Sequence, residues 1–312
     1  MHRFSTAVLL AFSTSLTLIG QSGPAPAATA AQITADAKEA QAWRDKHEAD
    51  YRRDWVSIAG LFPFKPGRNT AGSGKTQDIV LPLSVPASIG AFVLNGVAVR
   101  FEPDAKAIAQ ILVNGKPLTG AMDLHDDAGP NADELTIGDV RMVVHVSGEH
   151  RSLRVRDPKG PLATGFLGFR WFPIDPKYRV TGRFIKDAEP RSLQVLNTFG
   201  DIDSYKTEGV IEFTLLGKKL RVRPFTTRPN RFYIVFRDAS SGHETYEAAR
   251  FLYSDLKPDG TTVLDFNEAY NPPCAFNPHT TCPIPLKENR LTVKILAGEK
   301  AYPVHVPIVR KK

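Results

Sequence analysis

The sequence predicts a mainly all-β protein, in which an N-terminal helix precedes a β-sandwich lobe and a second antiparallel lobe, barrel or sandwich. Three observations carry the prediction. Residues 35–53 alone show a long helical period, and the apolar pattern beyond them runs at period two. Turn-forming pairs interrupt that pattern about every eight to twelve residues, with Asn95-Gly96 and Asn114-Gly115 the strongest.

In chain order, the first expected element is a cleavable signal peptide over residues 1–30. Arg3 supplies its positive end, and an apolar run over 7–19 would rise only about 20 Å as a helix, short of a hydrocarbon core of about 30 Å. Ala25-Pro26-Ala27 and Ala28-Thr29-Ala30 offer the small-x-small pattern of a cleavage site. No cysteine near them could take a lipid, and no later segment is apolar enough to span a bilayer. The expectation is a periplasmic or secreted protein with no transmembrane segment once the signal is removed.

Residues 31–56 form the helical region. Ala40, Trp43, His47 and Tyr51 recur at three- and four-residue spacing and make one apolar-aromatic stripe, read as a docking face, with Thr34 as N-cap. The first β lobe spans 57–157. Its strands are expected at 78–81, 91–94, 97–101, 107–113, 140–146 and 153–156, about seven in all, the density of a sandwich. A Gly- and Pro-rich stretch over 157–176, with Phe166, Phe169, Trp171 and Phe172, reads as a packed connector. The second lobe, 158–312, has candidate strands at 180–185, 210–215, 220–222, 232–236, 251–254, 262–266 and 291–296, and Leu216-Gly217-Lys218 marks a hairpin.

The formal charge of +7 falls to +6 when Arg3 leaves with the signal. Strand alternation would place Lys219, Arg221 and Arg223 on one solvated face, and no aromatic-basic interleaving accompanies them, so no nucleic-acid partner is expected. Cys274 and Cys282 are the two cysteines. In an oxidising compartment they are expected to form a disulfide. The alternative, a zinc set of Cys274, His279 and Cys282 with Asp265, matches no standard finger spacing; no metal and no cofactor is expected. Phosphate-loop, dinucleotide, zinc-protease and nucleophile-elbow motifs are all missing.

Two resemblances extend this reading. Gly67-Arg68, Gly72-Ser73, Asp78-Ile79-Val80-Leu81, Ser88, Asn114-Gly115 and Leu135-Thr136-Ile137-Gly138 resemble a forkhead-associated domain, a β-sandwich whose loops bind phosphothreonine. Gly72-Ser73 stands where that family has glycine-arginine, and Ser88-Ile89-Gly90-Ala91 where it has serine-x-x-histidine. The resemblance therefore implies the sandwich and not its ligand. Trp171-Phe172-Pro173, Phe236-Arg237-Asp238, Glu244-Thr245-Tyr246, Arg250-Phe251-Leu252, Asp265-Phe266-Asn267, Tyr270-Asn271-Pro272-Pro273-Cys274 and Thr281-Cys282-Pro283, together with Asp54-Trp55-Val56-Ser57 upstream, are similar to the bacterial domain-of-unknown-function family 1684. That resemblance spans nearly the whole chain after the signal and implies no activity.

Polar groups concentrate between 238 and 290, the one stretch dense enough to assemble a site. Arg250, Asp265, Asn267, Tyr270, Asn271 and His279 are the candidate ligand-binding residues, and no catalytic residue is assigned. The leading expectation is a binding module holding a small or polymeric envelope ligand. The rivals are a hydrolase pairing His243 or His279 with a carboxylate and a non-catalytic structural protein. Asp238, Ser240, Ser241 and His243 lie close in sequence but read as a polar turn.

Overall fold

A computed structural model describes residues 29–306, so the expected signal segment falls outside the described residues except at 29–30. Helix α1, Ala30–Tyr51, starts five residues before the expected point. Thr29, extended at φ −73° and ψ 160°, accepts from the Gln32 amide and caps it. Thr34, expected as the cap, lies inside the helix and turns its hydroxyl back to the Ala30 carbonyl. The alanines at 30 and 31 favour helix strongly enough to extend it to the earlier cap. Beyond Tyr51 the chain widens into a π-type turn over Arg52–Val56, closed by the Ser57 amide on the Arg52 carbonyl at 3.2 Å.

The first lobe contains eleven strands: β1 Ile58–Pro63, β2 Gly67–Gly72, β3 Ile79–Val80, β4 Gly90–Asn95, β5 Ala98–Pro103, β6 Leu112–Val113, β7 Lys116–Pro117, β8 Met122–Leu124, β9 Glu134–Ile137, β10 Val140–Ser147 and β11 His150–Arg156. They form two sheets, ordered β1-β11-β10-β9-β6-β7 and β3-β2-β4-β5-β8. Phe92, Phe101, Ile89, Leu135, Met142 and Leu153 fill the space between them, and the Phe92 and Phe101 rings stand 4.8 Å apart. The two Asn-Gly pairs make the β4–β5 and β6–β7 hairpins. Asn114 and Gly115 sit at φ 50° and 76°, the mirror-image turn that glycine and asparagine tolerate. Gly90, at φ 129°, has no room for a side chain: a Cβ there would lie 2.1 Å from the Glu102 carbonyl. The strand expected over 107–113 is mostly a single helical turn, Ile108–Gln110, and only its last two residues pair.

The second lobe contains β12 Arg179–Leu196, β13 Ile202–Leu215, β14 Lys218–Val222, β15 Phe225–Arg228, β16 Arg231–Phe236, β17 Arg250–Asp255 and β18 Thr261–Asp265. Its sheets, β14-β13-β12-β18 and β15-β16-β17, meet where β17 lies against the edge strand β18 and β15 against the inner strand β13, and so enclose a flattened barrel. Phe213, Phe236, Leu252, Leu264 and Phe266 pack inside. The long β12–β13 hairpin carries a bulge between Lys186 and Arg191. In its outer half Leu193 and Val195 turn inward between exposed Ser192, Gln194 and Leu196, an alternation of only five residues. Residues 291–296, expected as a strand, form no ladder. Leu291, Val293 and Ile295 plug the barrel, and the segment is held by single bonds such as Leu291 amide to Arg237 carbonyl at 2.7 Å. Arg223 turns inward to Glu288 and Asp187, so it does not share the solvated face of Lys219 and Arg221. No helix among the described residues is long and apolar enough to cross a membrane.

Candidate binding cleft

The expected site residues divide sharply by location. Arg250 is fully buried within the barrel; its guanidinium pairs with the equally buried Asp238 and donates to the Ala297 carbonyl at 2.6 Å and the Ile295 carbonyl at 3.1 Å. Burial lowers its pKa, with Asp238 opposing. Asp265 receives Arg179 at 2.9 Å and caps the turn that carries Asn267. Asn267 exchanges two bonds with the Asp175 backbone, and its own carbonyl receives the buried Arg44 of α1 at 2.8 Å and 3.1 Å. Asn271 donates to the Lys300 carbonyl at 2.7 Å, and its amide to Glu299 at 2.8 Å. These four side chains are buried and make internal bonds; Arg250 Nε and Asn271 Oδ1 are left without a partner, and Asp265 and Asn267 line a small cavity with Asp36 and Arg179. The His279 imidazole has burial as the one cause of its lowered pKa, with no carboxylate among the causes. His243 is exposed in the turn that Asp238 and Ser240 close.

Tyr270 alone of the six lines a cleft, of ≈ 740 Å³, between α1 and the second lobe. The apolar stripe of α1 forms one wall. Trp43 stacks on His47 at 4.7 Å, and His47 meets Tyr270 at 4.5 Å and Tyr51 at 4.4 Å. The stripe therefore docks the helix and lines the opening at once. The second lobe contributes a file of tyrosines that continues from this stripe: Tyr233 and Tyr253 stack at 5.0 Å, and Tyr253 lies nearly parallel to Tyr270 at 6.5 Å. At the rim, the Arg231 guanidinium lies 4.9 Å from the centre of the Tyr253 ring and bonds to Asp255 at 2.6 Å. Exposed Arg228 and the Lys46–Asp50 pair complete the edge.

Burial shapes the charge of this wall. It lowers His47 to about 4, so its ring is neutral at physiological pH, and His47 Nε2 has no hydrogen-bond partner. Burial also raises Tyr233 and Tyr270 well above the ordinary tyrosine value, so both remain neutral hydroxyl-bearing rings. Behind Tyr270, burial pushes the Glu299 carboxyl up to about 8.

Cys274 and Cys282 are buried, and their side chains carry no covalent bond between them in this structure. They are hydrogen-bonding neighbours; burial and that bond push the Cys274 thiol up. Tyr246 and Thr280 place hydroxyls 3.8 Å from Cys274 Sγ and Cys282 Sγ respectively. Among the described residues no group of three or more His, Cys, Asp or Glu side chains is placed to hold a metal.

The first lobe lines none of this cleft but bonds to one of its lining residues. His145, on β10, places Nε2 3.2 Å from the hydroxyl of Thr281, a cleft-lining residue, and Nδ1 2.8 Å from Asp127 Oδ2. Arg154 donates to the same carboxylate at 3.1 Å and lies 5.6 Å from the centre of the Trp55 ring, itself at the cleft. Positions 127, 145 and 281 belong to three segments that only the fold joins. Of the three tyrosines, Tyr270 is the one that the sequence singles out as a ligand-binding candidate.

Residues 164–300 match the family described as "Protein of unknown function (DUF1684)", the family that the motifs of the second lobe resemble. The match covers the second lobe and its connector and leaves the first lobe outside. No curated protein matches the chain. Among solved structures, an uncharacterized protein of Haloarcula marismortui, determined by solution NMR, is 29% identical over 48% of this chain and 85% of its own, with a TM-score of 0.39. Two forkhead-associated domain structures align at 19% identity over 31% of this chain, each with a TM-score of 0.21. One comes from a study of phosphothreonine-dependent interactions and is covered over 93% of its length. The other is the domain of FhaA complexed with an intracellular domain, covered over 97%.

Proposed function

From a chain whose residues 164–300 match a family defined by sequence and not by activity, we propose an exported binding protein whose aromatic cleft holds a saccharide-type envelope ligand, small or polymeric. The observation that carries this reading is a cleft of ≈ 740 Å³ whose lining includes the file of Tyr233, Tyr253 and Tyr270 and the Trp43 ring packed 5.9 Å from Tyr270. Aromatic faces with hydroxyl edges receive the apolar faces of sugar rings while bonding to their hydroxyls. Arg228 and Arg231 at the rim favour a ligand that carries carboxylates. Trp43 provides the measurement. Tetragalacturonate should quench its fluorescence saturably and bind more tightly than neutral cellotetraose. Tyr253→Ala should weaken binding about tenfold, the loss expected of one stacked ring at about 1.4 kcal/mol. Quenching by neither sugar would overturn the proposal.

Export, which rests on the pattern of residues 1–30, has a chemical consequence at the cleft wall. In an oxidising compartment the neighbouring thiols of Cys274 and Cys282 would close a short disulfide, worth about 2–3 kcal/mol in the loop-entropy account. Protein purified from the periplasm and unfolded without reductant should show no free thiol and should lose that stability in dithiothreitol. Two titratable thiols in such a sample would contradict the oxidised state.

A further inference from the structure

The hydroxyl, imidazole and carboxylate at the cleft stand in an order that the binding reading does not use. Thr281 Oγ lies 3.2 Å from His145 Nε2, and His145 Nδ1 lies 2.8 Å from Asp127 Oδ2. Asp127 is fixed in turn, accepting from the Val146 amide at 3.0 Å and from Arg154 at 3.1 Å. Three donors on one carboxylate define which ring nitrogen carries the proton: Nδ1–H faces Asp127, and the Nε2 lone pair faces the threonine hydroxyl. A nucleophile within reach of a base, and a base oriented by a third group, is the general arrangement of covalent acyl transfer, recognised by geometry rather than by sequence order.

We propose that Thr281 is the nucleophile of an ester-hydrolysing site in this cleft, with His145 as its general base and Asp127 as the positioning residue behind it. The proposal rests on the cleft reading, which supplies a polyol substrate, and adds the bond that is broken: a carboxylic ester on that polyol. As Thr281 Oγ bonds to the ester carbonyl carbon, its proton passes to His145 Nε2. The carbonyl carbon then expels the alcohol oxygen, which takes that proton, and an acyl group remains on Thr281. Water gives a proton to His145 and attacks the acyl carbon. The carboxylic acid leaves, and the proton returns to Thr281 Oγ. Nothing is oxidised, and water is the second reactant.

Electrostatics agree with these roles. Burial works against the Asp127 charge, but the bonds from His145, Arg154 and Val146 prevail and hold its pKa below the ordinary carboxylate value. Burial lowers the His145 pKa, and Arg154 adds to the effect against the opposing charges of Asp127 and Asp203. The base is thus neutral and ready at pH 7. Neither His243 nor His279 has such a chain of partners.

The test uses the full chain with p-nitrophenyl acetate and per-O-acetylated glucose. Thr281→Ala and His145→Gln should each lower kcat/KM by at least about 100-fold, the usual scale for losing a nucleophile or its base. Thr281→Ser should retain activity. Thr281→Val, which keeps the side-chain shape, should be as inactive as alanine while still folding cooperatively with at most a few degrees lost in Tm, which separates chemistry from packing. Wild-type activity should fall on acidification only below the ordinary imidazole value, and the serine variant should follow the same profile. A structural contact between the lobes would move none of these kinetic readouts. Cleavage that persists in Thr281→Val, or no cleavage of either ester while tetragalacturonate still quenches Trp43, would overturn the site and leave the binding cleft standing. Thr281-dependent cleavage without sugar quenching would instead overturn the ligand class and leave the site.

Discussion

Arg250→Ala is expected to destabilise the protein by about 3–5 kcal/mol, the largest loss of any single substitution considered for the second lobe. Both partners of the Arg250–Asp238 pair are fully buried, so removing the guanidinium strands a carboxylate in the barrel wall. Asp238 cannot simply turn away. Its other oxygen receives the Ser240 amide at 2.8 Å, the Ser240 hydroxyl at 2.6 Å and the Ile295 amide at 3.1 Å. The guanidinium also carries the Ala297 and Ile295 carbonyls, which hold the plug segment in place of a ladder. Urea denaturation followed by far-UV circular dichroism reads the loss directly. Arg250→Lys should fall between the two, keeping the charge but losing the forked donors. A loss below about 1 kcal/mol for the alanine variant would contradict this account.

Glu299→Gln is expected to stabilise the protein in a pH-dependent way, by on the order of a few kcal/mol at pH 9 and little at pH 5. Burial holds the folded carboxyl protonated up to about 8, against an unperturbed value of 4.5. Between those values the folded chain retains a proton that the unfolded chain has released. Stability from this group is therefore present at low pH and declines as pH rises through the window. A glutamine keeps an oxygen to accept the Asn271 amide, now at 2.8 Å from Glu299, and has nothing to ionise. Denaturation curves for both proteins at several pH values test the sign, and a difference that does not change with pH would contradict it.

The sequence disclosed the fold through local chemistry and hid the site for want of it. The Asn-Gly turns and the stripe Ala40, Trp43, His47 and Tyr51 announce their structures because the cause lies within a few residues. The outer half of the β12–β13 hairpin was missed because its alternation, Leu193 and Val195 inward between Ser192, Gln194 and Leu196, is short and lies beside Pro190, which weakens a strand signal. Density of polar residues pointed to Arg250, Asp265, Asn267 and Asn271, yet density cannot tell a wall bonded to itself from one open to a ligand. Tyr270 shares that stretch and does face the cleft. The partners of His145 came from a loop 18 residues before it and a segment 136 residues after it, a pairing that no spacing rule expresses.

The contact between α1 and the second lobe, in which Arg44 reaches across 223 residues to the Asn267 carbonyl, also sets an order of events during folding. The helix is made long before its dock exists, and its aromatic stripe must wait in water until the barrel has closed around residue 267. Closing so large a loop adds little to the equilibrium cost, which grows only logarithmically with length, but such distant contacts slow the search. The cleft is thus completed late, by the docking of α1 onto the second lobe, and a chain interrupted before that step would carry both its lobes and no binding wall.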